Sequence, residues 1–183
     1  MRWGNVRWVR ALLGSAVLMI GAATVASAQE RSGFFFGIGL GYGSLGVSCD
    51  GCDSEREGSF SGTLRLGGAL TPQLLLGGES VGWYKDEDGA SLSFGTLTGN
   101  AYFYPSKTAN FFVKGGIGLG WTEAQVDFVG SDTETGFGWQ VGAGYDIRLG
   151  TKTALTPSVT YAMGHFDGFS ENLIQVALSF SLY

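Results

Sequence analysis

The chain is poor in the residues from which metal and redox sites are built. It has two cysteines and one histidine among 183 residues. A structural zinc site needs about four Cys, His or carboxylate ligands, and only His165 could add an imidazole to the two thiols. We therefore expect no metal centre and no cofactor.

Long apolar runs are also missing from most of the chain. The exception lies within residues 1–28, where three arginines precede an apolar stretch at 11–25 and the small triplet Ala-Ser-Ala at 26–28. This order is typical of a cleaved secretory signal peptide, and an uncleaved N-terminal anchor is the alternative. We predict a signal peptide at 1–28 and a single domain at 29–183. Beyond residue 28, glycine and polar residues interrupt every run, so only strands could cross a membrane.

Positive charge is scarce as well. Without the three arginines of the leader, eight basic residues face 16 acidic ones, which gives a formal charge of −8. Binding to nucleic acid depends on a basic surface that neutralises phosphates. We therefore exclude nucleic acid as a partner.

What the chain does contain is a series of segments in which apolar residues alternate with small or polar ones. In the first segment, 34–43, large apolar residues alternate with glycine, and in the last, 172–183, they alternate with small or polar residues. A period of two is that of a strand, and about 9 to 11 residues suffice to cross a bilayer. The two segments have the same pattern and similar length, so we predict that they pair and close a barrel.

Six further segments share the pattern, which predicts an all-β fold: an eight-stranded antiparallel up-and-down transmembrane β-barrel. In the fourth segment the alternation changes phase near Gly95, so a bulge is expected there, with Leu92 and Phe94 before it. The eight predicted strands are 34–43, 59–70, 74–84, 91–104, 111–122, 135–149, 153–164 and 172–183.

The connections alternate in length, which indicates the orientation in the membrane. Outer-membrane barrels have short periplasmic turns and longer outer loops, and aromatic girdles flank the apolar band. Thirteen of the 16 acidic residues fall on the predicted outer side, and aromatic residues cluster near both ends of the strands. A soluble lipocalin-type barrel is the alternative, but it requires charged residues on the outward phase. The predicted turns are 71–73, 105–110 and 150–152, and the predicted outer loops are 45–58, 85–90, 123–134 and 165–171.

Three segments resemble the small eight-stranded outer-membrane barrels of the OmpA and OmpX type. They are the glycine-rich 33–43, the central Phe-Val-Lys-Gly-Gly-Ile-Gly-Leu-Gly at 112–120 and Gly-Ala-Gly-Tyr-Asp-Ile-Arg at 142–148. The resemblance implies the cell envelope of a Gram-negative bacterium, a location in its outer membrane, and insertion by the outer-membrane assembly machinery. The chain departs from the family at its end, because Leu182 holds the lipid-facing phase and Tyr183 is one step out.

Three charged residues lie at the centres of predicted strands and point inward. A three-residue turn at 71–73 would set Arg65 opposite Glu79, and Lys114 could extend this ion pair across the lumen. Such a cluster could gate a narrow channel. Alternatively, it neutralises charge inside a plugged barrel, because eight strands leave room only for side chains.

Three features of the predicted loops carry residues that are capable of chemistry. Cys49 and Cys52 are spaced like a redox motif, but we expect a structural disulfide in an exported loop. His165, near Asp167 and Ser170, invites the hypothesis of a hydrolase that modifies lipid A, although no nucleophile motif surrounds it. The acidic loops, including 86–89, could bind divalent cations, although they lack the ligand spacing of a calcium loop.

These observations favour a non-enzymatic outer-membrane barrel with a structural or surface-interaction role and short acidic loops. Its expected partners are the lipid bilayer and lipopolysaccharide. A narrow, porin-like channel is the second hypothesis, and a lipid A-modifying hydrolase is a distant third.

Overall fold

The computed structural model describes residues 31–49, 56–87, 90–126 and 130–183. The predicted signal peptide lies outside this part of the chain. Among the described residues, no helix has the length and apolar character needed to cross a membrane. The described strands are β1 (Gly33–Cys49), β2 (Arg56–Thr71), β3 (Leu74–Glu87), β4 (Ala90–Phe103), β5 (Phe111–Val126), β6 (Gly130–Tyr145), β7 (Ile147–Arg148), β8 (Thr153–His165) and β9 (Phe169–Leu182).

The strands form one antiparallel sheet that closes on itself. Their order is β6-β5-β4-β3-β2-β1-β9-β8-β7, and β6 also pairs with β8. β6 and the two-residue β7 belong to one crossing that is interrupted at Asp146, so the barrel has eight crossings. The predicted fold class is confirmed, as is the pairing of the first and last strands, in which Leu40 faces Leu178.

Side chains alternate between the outer surface and the interior along every long strand. Large apolar residues dominate the outward phase, where Leu40 is 78% and Ile117 67% exposed. Polar residues such as Gln140 and Thr156 are fully buried in the inward phase. This distribution is the opposite of a lipocalin-type barrel, whose apolar residues point inward.

The strands extend further than the sequence predicts on the side of the predicted outer loops, which we call the outer side. The polar strand ends there, beyond the apolar band, are called the outer extension. β1 runs on to Cys49, β2 begins at Arg56, and β5 and β6 occupy most of the predicted loop 123–134. The expected loops at 45–58 and 123–134 are therefore mostly strand, because polar residues can continue a ladder once it stands in water. In β9 the outward apolar side chains run from Ile174 to Leu182, which is the length needed to cross the hydrocarbon.

The predicted bulge near Gly95 is wrong. β4 pairs with β3 without a register shift from Phe103 to Ala90, and Phe94 is buried inside the barrel. Gly95 takes the outward position, where the ring of Trp121 covers it so closely that a Cβ there would lie 2.5 Å from Cε2 of the indole. The change of phase in the sequence arises because Phe94 belongs to a buried apolar cluster inside the barrel and Leu92 packs against it, whereas Leu97 and the apolar residues after it face outward. A register shift does occur in β2, between Ala69 and Thr71.

Side chains fill the interior in layers. One buried apolar layer lies toward the outer end and another toward the periplasmic end, with polar and charged side chains between them. The outer layer consists of Leu45, Val81, Trp83, Phe94, Ala162 and Leu173, and the periplasmic layer of Phe35, Leu75, Tyr102, Tyr104 and Phe112.

Candidate functional site in the barrel interior

A buried ion pair occupies the middle of the interior. The Nζ of Lys114, on β5, donates to Oε1 of Glu79, on β3. The hydroxyl of Tyr102 donates to the other carboxylate oxygen at 2.6 Å, and that of Thr63 lies 3.3 Å from Oε1. All four residues sit in the inward phase of their strands, so strand alternation alone brings them into the lumen. Together they satisfy a carboxylate that is only 1% exposed.

Arg65 makes its contacts elsewhere in the interior. It is the register partner of Glu79, as expected, although the turn is tighter than the predicted 71–73: Thr71 pairs with Leu74, and the shift between Ala69 and Thr71 restores the expected register. Its guanidinium nevertheless reaches toward β9 and β8, where Nη2 donates to Ser181 Oγ at 2.6 Å and to Thr156 Oγ1 at 3.3 Å. The carboxylate within its reach is Asp146, at 3.9 Å. The predicted cluster is therefore divided into two pairs, Glu79 with Lys114 and Arg65 with Asp146.

Asp146 is the centre of a second network, which the sequence analysis missed. Its carboxylate accepts hydrogen bonds from the hydroxyls of Tyr104 at 2.9 Å, Tyr183 at 2.8 Å and Thr156 at 2.9 Å. The available signal was that Asp146 and Tyr183 both fall in the inward phase. The C-terminal tyrosine thus departs from the lipid-facing phase because it binds inside the barrel.

Arg31 completes this network and was not predicted at all. It precedes β1, is 2% exposed, and donates from Nη2 to the carbonyl oxygen of Ala109 at 2.6 Å. The same nitrogen lies 3.7 Å from Asp146, and the guanidinium stacks 3.5 Å from the ring centroid of Tyr104. No periodic pattern could have revealed this, because Arg31 lies outside the strands.

The predicted loop disulfide can be placed only in part. Cys49 is the last residue of β1, whereas Cys52 lies outside the described residues. The pairing of the two cysteines stays a prediction.

His165 lies at the outer end of β8 and contacts the residue opposite it in the ladder. Its Nδ1 is 3.0 Å from Ser170 Oγ, and Trp139 Nε1 lies 3.4 Å from its Nε2. The imidazole also stacks against Phe137, with ring centroids 6.4 Å apart. A nucleophilic serine needs a base that a third group orients. The indole of Trp139 is the group in that position here, and its 3.4 Å distance from the imidazole is longer than a usual hydrogen bond, so it orients the base only weakly.

The outer extension carries an exposed ionic network. Lys85 Nζ lies 2.5 Å from a carboxylate oxygen of Glu57 and 2.9 Å from one of Glu87. The hydrogen bonds with these two carboxylates raise the pKa of Lys85. Of the acidic segment 86–89, residues 88 and 89 lie outside the described part. Within that part, no group of three or more His, Cys, Asp or Glu residues could hold a metal ion.

Glu171 is an acidic residue of a different kind, three positions outside the membrane-crossing part of β9. It is 4% exposed, and its Oε1 accepts a hydrogen bond from Thr122 Oγ1 at 3.2 Å. Its Oε2 makes no hydrogen bond within the described residues. Burial, together with the nearby charge of Glu134, raises the pKa of this carboxyl to about 7, and the hydrogen bond from Thr122 opposes that shift.

A family model described as "Outer membrane protein beta-barrel domain" matches residues 13–181. The structure resembles Ail, the attachment invasion locus protein of Yersinia pestis, at 15% identity and a TM-score of 0.60, over 82% of this chain and 99% of that one. Neisserial surface protein A is similar at 14% identity and a TM-score of 0.56, over 80% of this chain and 96% of that one. A second Ail structure, in complex with the heparin analogue sucrose octasulfate, gives 14% identity and a TM-score of 0.55, over 82% and 99%. No curated protein sequence matches the chain.

Proposed function

This chain belongs to the outer membrane protein beta-barrel domain family and is a bacterial outer-membrane protein. We propose that it is a non-enzymatic structural barrel with a closed interior. In this proposal its activity consists of contacts made by its two exposed surfaces. The outward apolar surface contacts lipid and lipopolysaccharide, and the outer extension contacts molecules outside the cell. Delivery to the outer membrane would depend on the assembly machinery.

The observation that carries the proposal is the filling of the interior. Trp83 and Phe94 in the outer layer, and Tyr102, Tyr104 and Phe112 in the periplasmic layer, are each at most 2% exposed. An eight-stranded barrel has an interior just wide enough for side chains, so two stacked aromatic layers leave no room for a solute. The charged side chains between the layers are mutually paired, which supports a role in neutralising buried charge.

The acidic outer extension supports a surface role. Glu57, Glu87 and Glu171 lie on the part of the barrel that stands beyond the apolar band, together with Asp132 and Glu134. Charge of one sign attracts cationic groups and repels polyanions. We include divalent cations among the candidate partners of this surface, where they would bridge carboxylates to lipid phosphates.

The test is electrical. We expect the refolded wild-type barrel to produce no steady conductance steps in planar bilayers. A Trp83→Ala/Phe94→Ala/Phe112→Ala variant, in which both layers are thinned, serves as the positive control and should conduct or leak. Such leakage would show that inserted protein can be detected.

The channel hypothesis makes the opposite prediction. If the wild-type barrel conducts in discrete steps and Glu79→Ala changes their size, the buried charge pair gates a pore and the structural proposal fails. Silence in the wild type and in Glu79→Ala, with leakage in the triple variant, supports a closed barrel.

The hydrolase hypothesis is tested separately. We expect labelled lipid A to remain intact after incubation with the barrel. Product formation that disappears in a His165→Ala or Ser170→Ala variant would contradict the non-enzymatic proposal.

A further inference from the structure

The carboxylate of Glu171 is buried at the outer mouth with only half of its hydrogen-bonding capacity used. Its one partner among the described residues is the hydroxyl of Thr122. None of the ion pairs in the described part of the chain includes Glu171. Glu134, the register partner of Thr122, carries a charge of the same sign. A buried carboxylate without a compensating charge is unfavourable, so this site favours a positively charged ligand.

Aromatic rings lie beside this carboxylate. Gly164 is the register partner of Glu171, and both are in the inward phase. A Cβ on Gly164 would lie 2.8 Å from Cζ of Phe166 and 3.0 Å from Cε2 of Phe94. The two rings therefore occupy the space directly across the ladder from the carboxylate. A side chain at position 164 would have to displace these two rings.

The ligand set distinguishes an organic cation from a metal ion. A calcium ion needs about six to eight oxygen ligands, and the described residues contain no cluster of three or more acidic, Cys or His side chains. Two phenylalanine rings, in contrast, suit the methylene groups of an organic cation, which gain from leaving water. Lys85 provides a precedent within this mouth, since its own ammonium sits between Glu57 and Glu87.

We propose that the outer mouth of the barrel binds the primary ammonium group of a small oligoamine. In this site Glu171 Oε2 accepts a hydrogen bond from the ammonium, and Phe94 and Phe166 flank the adjacent methylenes. Glu134 is the register partner of Thr122, which donates to Glu171, so it is placed to receive a second amine. Phe166 stands in the three-residue turn between β8 and β9, at the outer end of the barrel.

The experiment uses the refolded full-length barrel in detergent micelles, with spermidine as the probe and binding measured by calorimetry. We expect Glu171→Gln to weaken spermidine binding by about tenfold or more, which is the loss of roughly one charge-assisted hydrogen bond. The matched control is Glu123→Gln. Glu123 lies in the outward phase near the end of β5, next to Thr122, so this variant should bind spermidine as the wild type does. Phe166→Leu should weaken binding by a smaller factor.

Further binding measurements distinguish an ammonium ligand from a metal ion. Magnesium that binds in a manner dependent on Glu171, while spermidine does not bind, would make the site a metal site and overturn the proposal. Absence of spermidine binding to the wild type, or equal loss in Glu123→Gln, would overturn it too. Equal affinity for spermidine and for a lysine tripeptide would support the ammonium site and identify exposed lysine chains as a second source. Heat-dependent mobility on gels confirms that each variant is folded.

Discussion

At the scale of the residue, the interior is governed by charge balance. Glu79 and Lys114 are nearly inaccessible to solvent and depend on each other and on the hydroxyls of Tyr102 and Thr63. Breaking a buried pair is costly because it leaves one charge alone, whereas replacing both partners can be nearly neutral. Each residue of the pair therefore requires the other. The presence of the pair does not by itself show that it adds net stability.

Lys114→Met tests this requirement. We expect the single variant to lose about 3 to 5 kcal/mol of unfolding free energy, because Glu79 remains buried without a counter-charge. The double variant Lys114→Met/Glu79→Gln should recover most of the loss. Guanidinium titration of vesicle-inserted barrels, followed by tryptophan fluorescence, measures both. Equal losses in the single and double variants would contradict the mutual requirement.

Glu171 predicts a dependence of stability on pH. Its folded-state pKa is raised from 4.5 to about 7, so folding favours the protonated form. The associated stability is fully present below pH 4.5 and is lost as the pH rises through about 7. In amine-free buffer, the wild type should lose up to about 3 kcal/mol relative to Glu171→Gln between about pH 5 and about pH 8. Parallel pH profiles for the two proteins, measured by guanidinium titration, would contradict this assignment.

At the scale of the element, glycine has two different roles in the strands. Gly118 on β5 faces the interior, where a Cβ would overlap the carbonyl of Leu97 and lie 2.8 Å from Cα of Thr98. Gly78 on β3 faces outward, and a Cβ there would meet nothing within 4 Å. Close strand approach therefore requires the first glycine and does not require the second.

A matched pair of substitutions tests this difference. Gly118→Ala should cost about 1 to 3 kcal/mol or prevent barrel closure, because the obstructing atoms belong to the backbone of β4. Gly78→Ala should change the unfolding free energy by no more than about 0.5 kcal/mol. Heat-dependent gel mobility reports closure, and guanidinium titration in vesicles reports stability. Similar losses at both positions would show that packing against β4 is not the cause.

At the scale of the whole molecule, the two surfaces face different solvents. The membrane band is apolar, and the outer extension is acidic on a mature chain predicted to carry a formal charge of −8. The solved structure of Ail with a heparin analogue concerns a barrel of the same shape. Shape alone does not transfer a ligand, since the sign of the surface charge decides whether a sulfated polymer is attracted.

We therefore expect this barrel not to bind sulfated glycans. Applied to a heparin column at about 0.15 M salt, the refolded protein should elute in the flow-through, because like charges repel within the screening length. A basic protein of similar size serves as the column control. Retention that is released by salt would contradict the expectation.

Sequence periodicity determined the architecture of this protein. A period of two places each residue on the lipid or the lumenal face, so the eight crossings follow from local rules. The register pairing of Arg65 with Glu79 agrees with the prediction, but it depends on an unpredicted shift between Ala69 and Thr71. The same rules place Asp146 and Tyr183 in the interior. These rules determine the face on which each side chain lies but not the side chains that it contacts.

Only the tertiary structure decided which inward side chains meet. Arg65 contacts Asp146 across the lumen, and Glu79 is left to Lys114, because strand tilt and side-chain length determine contacts that no sequence interval records. Arg31 enters the barrel from outside the strands, and Trp121 covers Gly95 from the next strand. Whether a side chain points inward or outward is a local property of the chain. Which inward side chains contact each other depends on the geometry of the whole closed barrel.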